Sequence, residues 1–354
     1  MPDRFNSPIQ LGLTCALLCL LNMIGPVPTV YTAEPIGHDR MSQRFEQSQR
    51  HMGTQFNITL YAGDAETAER AFKLAFARIA ELDAALSNYQ SESELNRLCR
   101  SAPHATPVSA SDDLWRVLQR SQEISRQTQG AFDVSIGPLT KLWRQSRRQQ
   151  QWPTEERWNA AASKVDFRAI KLTDETHGVQ LMREQMQLDL GGIAKGDALD
   201  EAMRAIEACD IHRVLIDGGG DVLAADPPPN AAGWRIAVAG LERAGDAAEW
   251  LTLTRQAAAT SGDLWQYVEF DGRRYSHLID ARSGRPIEGQ RSVTVLASAG
   301  WEADAWASVI SIVGAQPGLA QLERQPGCSA RILELRDGQT VRTVSPNWPG
   351  VISR

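Results

Sequence analysis

Phe56, Ile58 and Leu60 alternate with Asn57 and Thr59, and from Glu66 the apolar period lengthens, with Phe72, Ala75, Ile79, Leu82 and Leu86 recurring at helical spacing. A period of two marks a half-buried strand and a period near 3.6 an amphipathic helix, so a strand runs almost directly into a helix that must pack somewhere. A second helix is expected after a cap at Ser111 or Asp112, carrying Leu114, Val117, Leu118 and Ile124 and stopping at Gly130. Residues 213–216, 234–239, 274–279, 293–297 and 330–335 read as strands, residues 226–230 as a surface turn, and residues 145–161, rich in Gln and Arg, as a solvated excursion. Strands and helices mingle without a regular βαβ repeat. The expected class is therefore α+β, mixed β-sheets with packed helices, built as one catalytic unit or as two lobes.

The 354 residues are 42% hydrophobic and 23% charged, which suits a folded body with a sizeable core. A net charge of -6 without a long basic run argues against a nucleic-acid partner, since phosphate neutralisation needs clustered Lys and Arg. Arg4 followed by an apolar run from Ile9 to Val27, then Pro28 and Ala33, reads as a signal peptide or N-terminal anchor over residues 1–33. Residues 34–50 carry no apolar period and are expected to be a polar tether, with the folded domain spanning residues 51–350. An exported, periplasmic protein is expected, either released or held at the inner membrane by its N-terminus. Cys99, Cys209 and Cys328 are scattered and the six histidines show no ligand spacing, so neither a disulfide framework nor a His-based metal site is expected.

Four short segments carry chemistry. Asp189-Leu-Gly-Gly-Ile-Ala-Lys-Gly-Asp197 precedes a helical stretch, where glycines admit a close ligand and Lys195 adds positive charge; a plain strand-to-helix turn reads equally well. Asp217-Gly-Gly-Gly-Asp221 follows a strand and fits either a bound group or a tight hairpin. His277, in Tyr275-Ser-His-Leu-Ile-Asp-Ala-Arg-Ser-Gly284, fits a proton shuttle or a hydrogen-bonded strand histidine. Asp304 and Ser308, four apart on one predicted helix, share a face and fit either two oxygen ligands for Mg²⁺ or a helix-end carboxylate with a packing serine.

In this order the segments resemble the FAD:protein FMN transferases of the ApbE family. Met52-Gly-Thr54, Leu86-Ser-Asn-Tyr89, Thr128 to Leu139 with Trp143, Asp189 to Gly196, Gly218 to Asp221, Thr260 to Gly262, His277 to Gly284 and Ala303 to Ser308 are similar to family motifs and cover nearly the whole chain from His51. The resemblance implies an FAD site formed by Met52, Tyr89, Ala131, Phe132, Asp133, Gly191, Asp197, His277 and Leu278, with Tyr89 against the flavin. It implies Mg²⁺ on Asp304, Ser308 and the Ala194 carbonyl, and an acceptor protein whose Ser or Thr receives FMN, such as a membrane redox complex subunit. Lys195 would offset charge on departing AMP, and His277 would handle the acceptor proton. Ser308 stands where the family usually has threonine, Val134-Ser135 where Pro-Thr is common, and Ala281 where proline is common. Two alternatives share the same site: a Mg²⁺-dependent FAD pyrophosphatase and a non-catalytic flavin carrier.

Overall fold

The computed structural model describes residues 42–241, 249–263 and 266–349. The expected leader at residues 1–33 lies outside them, as does the first part of the expected tether. The remainder of that segment is no tether. Gln43–His51 forms strand β1, paired antiparallel along its length with β2 (Thr54–Ala62). Phe45 is its one apolar side chain on the core, with the His51 ring stacked on Phe76 at its end, so no apolar period announced it; the backbone ladder to β2 holds it at the sheet edge. Met52 and Gly53 make the connecting turn with φ of 49° and 74°, the left-handed geometry that matches the twist of a hairpin.

Helix α1 (Ala65–Leu86) starts at Asp64, whose carboxylate accepts from Thr67 N at 2.8 Å, and it buries Phe72, Phe76, Ile79 and Leu82. After α2 (Glu94–Arg100) and β3 (Val108–Ser109), Ser111 caps α3 (Asp112–Gln127) as expected. The expected excursion at residues 145–161 is instead the end of α4 (Gly137–Gln149) and most of α5 (Glu155–Ala162). Its composition is polar because a few large rings do the anchoring: Trp143 and Trp158 are buried and meet Trp152, while Trp143 also meets Phe270 and Tyr275.

Next come β4 (Ile170–Thr173) and β5 (Gly178–Leu181), which form a small sheet with β3, then α6 (Ala194–Glu207), β6 (Val214–Gly218) and β7 (Asp221–Ala224). The chain continues through β8 (Trp234–Val238), β9 (Glu249–Leu253), β10 (Gln256–Gly262), β11 (Tyr267–Phe270), β12 (Arg273–Asp280), β13 (Arg285–Glu288) and β14 (Arg291–Ala297). Helices α7 (Gly300–Val313) and α8 (Ala315–Leu322) precede β15 (Ser329–Arg336) and β16 (Gln339–Val344).

The main sheet has the order β1-β2-β6-β7-β10-β14-β15-β16 and is antiparallel throughout. Alternation sorts its side chains. Ile58, Ile216, Ala257, Val293 and Val295 join the main core with the apolar faces of α1, α6 and α7, whereas Leu215, Val222, Ala258 and Leu296 face Trp234 and Leu251 of the β8–β9 pair. Each strand expected from sequence is present, and the α+β class stands. Among the described residues no helix is long and apolar enough to cross a membrane.

Candidate active site

Helices α6 and α7 meet where each has a glycine. A side chain on Gly196 would collide with the Gly300 carbonyl, and a Cβ on Gly300 would lie 2.5 Å from the Gly196 oxygen, so only hydrogen at both positions permits this approach. The helices also cap each other. Asp200 of α6 accepts from Gly300 N (2.7 Å) and Trp301 N (3.0 Å), and Asp304 of α7 accepts from Gly196 N at 3.2 Å. Neither helix has a side-chain bond from its own N-cap residue; each takes that service from the other.

This junction delivers the segments singled out in the sequence to one place. Lys195 pairs with Asp221, which stands just after the Gly219–Gly220 turn of the β6–β7 hairpin, and lies 3.7 Å from Asp304 Oδ2. The triple-glycine segment is thus the hairpin, with φ of 73° and 97° at its turn, and its function is to present Asp221. A Cβ on Gly192 would come within 3.1 Å of Ser308 Oγ and 3.3 Å of the Phe132 ring. The Gly191–Gly192 turn therefore converges on the Asp304/Ser308 face. The Met52–Gly53 turn is close by, because β2 pairs with β6 and Thr54 sits against Gly219.

Charge at the junction is unbalanced toward the negative. Burial pushes Asp304 up to about 6; Lys195 opposes that shift and Asp221 reinforces it. Burial also works against the Lys195 charge, but the two carboxylates outweigh it and the ammonium is held above its usual range. Two carboxylates sharing one ammonium, with a hydroxyl one turn along α7, form a donor set that fits a hard cation. Mg²⁺ is commonly held by one or two carboxylates, with phosphate and water completing its shell. Among the described residues no three His, Cys, Asp or Glu side chains are grouped to hold a metal alone, so further ligands would come from Ser308, a backbone carbonyl such as that of Ala194, and substrate.

A second wall is built by α4. Asp189 accepts from Gly191 N (3.0 Å) with one oxygen and from Thr140 Oγ1 (2.8 Å) and Arg144 (2.6 Å) with the other, tying the glycine turn to α4. Arg144 lies 4.8 Å from the centre of the Tyr89 ring, and Tyr89 is 78% exposed, an open aromatic face at the rim. Trp143 Nε1 donates to Ser276 O at 2.8 Å and so fixes α4 to the strand position next to His277. The β12–β13 register shifts between Tyr275 and Ile279, an irregularity that spans His277 and Leu278. His277 Nδ1 is buried without a partner, and the ring is pushed down to about 4, first by burial and then by the positive charges of Arg147, Arg144 and Lys195. Near neutral pH it is an uncharged imidazole whose protonation its surroundings resist.

Two residues expected to line the site have their carboxylates committed inside the protein. Asp133 accepts from Ser135 N (2.8 Å), Ser135 Oγ (2.7 Å) and Phe167 N (2.9 Å), closing the loop that presents Ala131 and Phe132. Asp197 is fully buried and bonded to Arg116 and Arg120, which lock α6 onto α3. Sequence reasoning quoted Asp189 and Asp221 within their motifs without a role, and missed Asp200, Arg144 and Arg147 as site builders. The only available signal was acidic and basic residues one helical turn from motif positions, and that pattern is common on any solvated helix.

With this geometry in place, comparison with known proteins defines the class: residues 52–332 match the ApbE family model, and the chain belongs to the ApbE family. Among curated relatives, the FAD:protein FMN transferase of Haemophilus influenzae is 28% identical over 287 residues, covering 78% of this chain and 83% of that one. That of Escherichia coli is 28% identical over 304 residues, covering 84% and 86%. Among solved structures, a histidine-to-glycine variant of the flavin transferase ApbE from Vibrio cholerae superposes with a TM-score of 0.78 at 26% identity, covering 86% of this chain and 98% of that one. The apo flavinyl transferase ApbE of Pseudomonas stutzeri gives 0.78 at 26% identity, covering 88% and 97%.

Proposed function

We propose that the chain is an FAD:protein FMN transferase that moves the FMN half of FAD onto a Ser or Thr hydroxyl of an acceptor protein and releases AMP. The observation that carries the reading is the convergence of the Gly191–Gly192 turn with Asp304, Ser308 and Lys195 at a glycine-lined helix junction. That arrangement suits a diphosphate held between backbone and cation. The family and the relatives' activity support the same reading. Met52, Tyr89, Ala131, Phe132, Gly191, His277 and Leu278 would line the FAD site, with Tyr89 as the stacking surface. Asp133 and Asp197 would shape it from behind.

Asp304, Ser308 and the Ala194 carbonyl would hold Mg²⁺, which when bound supplies charge neutralisation at the diphosphate. The acceptor oxygen attacks the FMN-side phosphorus, the bond from that phosphorus to the bridging oxygen breaks, and AMP leaves with that oxygen. His277 takes the hydroxyl proton. Burial is the larger cause of the lowered His277 value and would persist, whereas a bound diphosphate's negative charge would offset the part due to the neighbouring cations and make the ring a better base. Lys195 stays charged and faces the leaving phosphate. The N-terminal apolar run supports action outside the cytoplasm, and the family resemblance suggests a membrane redox subunit as acceptor.

Incubation of the protein with FAD, Mg²⁺ and a flavin-acceptor domain tests the reading by in-gel flavin fluorescence. A fluorescent acceptor band and stoichiometric AMP are expected. Free FMN with an unlabelled acceptor would make the protein a pyrophosphatase, and bound FAD without AMP a carrier.

A further inference from the structure

The positive charges around the site are not equally satisfied. Lys195 is matched by Asp221 and Asp304, and Arg144 by Asp189. Arg147, one turn beyond Arg144 on α4, has no carboxylate partner among the described residues, and its Nε is buried without a hydrogen bond. It stands four residues after Trp143, hence on the same helix face as the ring that bonds Ser276 O beside His277. Burial and the neighbouring Arg144 both push its charge toward release, yet a guanidinium stays protonated, so a half-buried cation stands here with no carboxylate to balance it. His277, on which Arg147 is the foremost acting charge, has a second buried polar atom without a partner, Nδ1.

A guanidinium without a carboxylate partner, an imidazole nitrogen without a hydrogen bond and an exposed Tyr89 ring on the α4 side of the site describe the complement of an anion attached to a flat group. We propose that Arg147 is a substrate-binding residue that clamps the phosphate nearest the flavin, on the His277 side of the site and opposite the Asp304–Ser308 junction. The assignment rests on the flavin-transferase reading for the identity of the anion, but not for its existence. A phosphate there would accept from the Arg147 guanidinium, supplying the missing partner and the missing counter-charge together. It would also set the phosphorus beside the imidazole that receives the acceptor proton. Arg147 would thus discriminate phosphorylated flavins from riboflavin.

Calorimetric titration of the full protein, Arg147→Gln and Arg147→Lys with FAD, riboflavin and inorganic pyrophosphate, in Mg²⁺, tests this. Arg147→Gln is expected to weaken FAD and pyrophosphate roughly 10- to 100-fold, with riboflavin binding and the melting temperature unchanged. Arg147→Lys should recover part of the loss, because charge returns without the two-pronged geometry. Equal FAD affinity in Arg147→Gln and the parent overturns the proposal, as does a loss that extends equally to riboflavin. If the parent binds pyrophosphate through Arg147 but not FAD, the anion site stands and the flavin reading is what fails.

Discussion

Replacing His277 by glutamine removes a group whose protonation the fold resists, so its effect on stability depends on pH. In the folded protein the imidazole is pushed from 6.5 down to about 4, and the unfolded chain therefore binds the extra proton first. The stability that the neutral ring contributes is complete above about pH 6.5 and is lost as pH falls toward 4. Between about pH 7.5 and about pH 5 the parent should lose on the order of 2 kcal/mol that the variant keeps, and somewhat less where solvent reaches the ring. Buried carboxylates such as Asp133, Asp217 and Asp304 are raised and also titrate on acidification, so the comparison must be a difference of differences. Urea unfolding of parent and His277→Gln at both pH values supplies it. Parallel losses, agreeing within about 0.5 kcal/mol, would refute the assignment of His277 as a desolvated neutral base surrounded by cations.

Gly196→Ala drives a methyl into the Gly300 carbonyl and should destabilise the fold by about 3 kcal/mol or more, read as a drop in urea midpoint. Asp197→Asn leaves Arg116 and Arg120 without their shared counter-charge and should cost about 3 kcal/mol in the same assay; a neutral result would mean the pair is solvated. Asp304→Asn should leave the melting temperature near that of the parent while cutting Mg²⁺-dependent acceptor labelling roughly 100-fold, and a fully active variant would remove Asp304 from the site.

The helix and strand periods of α1, α3 and β2 were legible because one face of each is buried and the other wet. β1 was not legible, since its stability comes from backbone bonds that leave no mark on side-chain pattern. The run at residues 145–161 hid α5 for a related reason: Trp143 and Trp158 anchor it, and an otherwise polar surface outvoted them in composition. At the site, Gly192, Lys195, Asp304 and Ser308 were readable as a set through the order of their motifs. The partners that place them were not. Asp200 caps a helix 100 positions away, and Asp197 meets Arg116 81 positions away, contacts that exist only after α6, α7 and α3 have packed.

The most direct measurement is a crystal structure with FAD and Mn²⁺ standing in for Mg²⁺, with the cation located by its anomalous signal. A cation is expected on the Asp304 carboxylate, the Ser308 hydroxyl and the Ala194 carbonyl, with the diphosphate beside it over the Gly191–Gly192 turn. A cation bound elsewhere, or a diphosphate lying away from that turn, would contradict it.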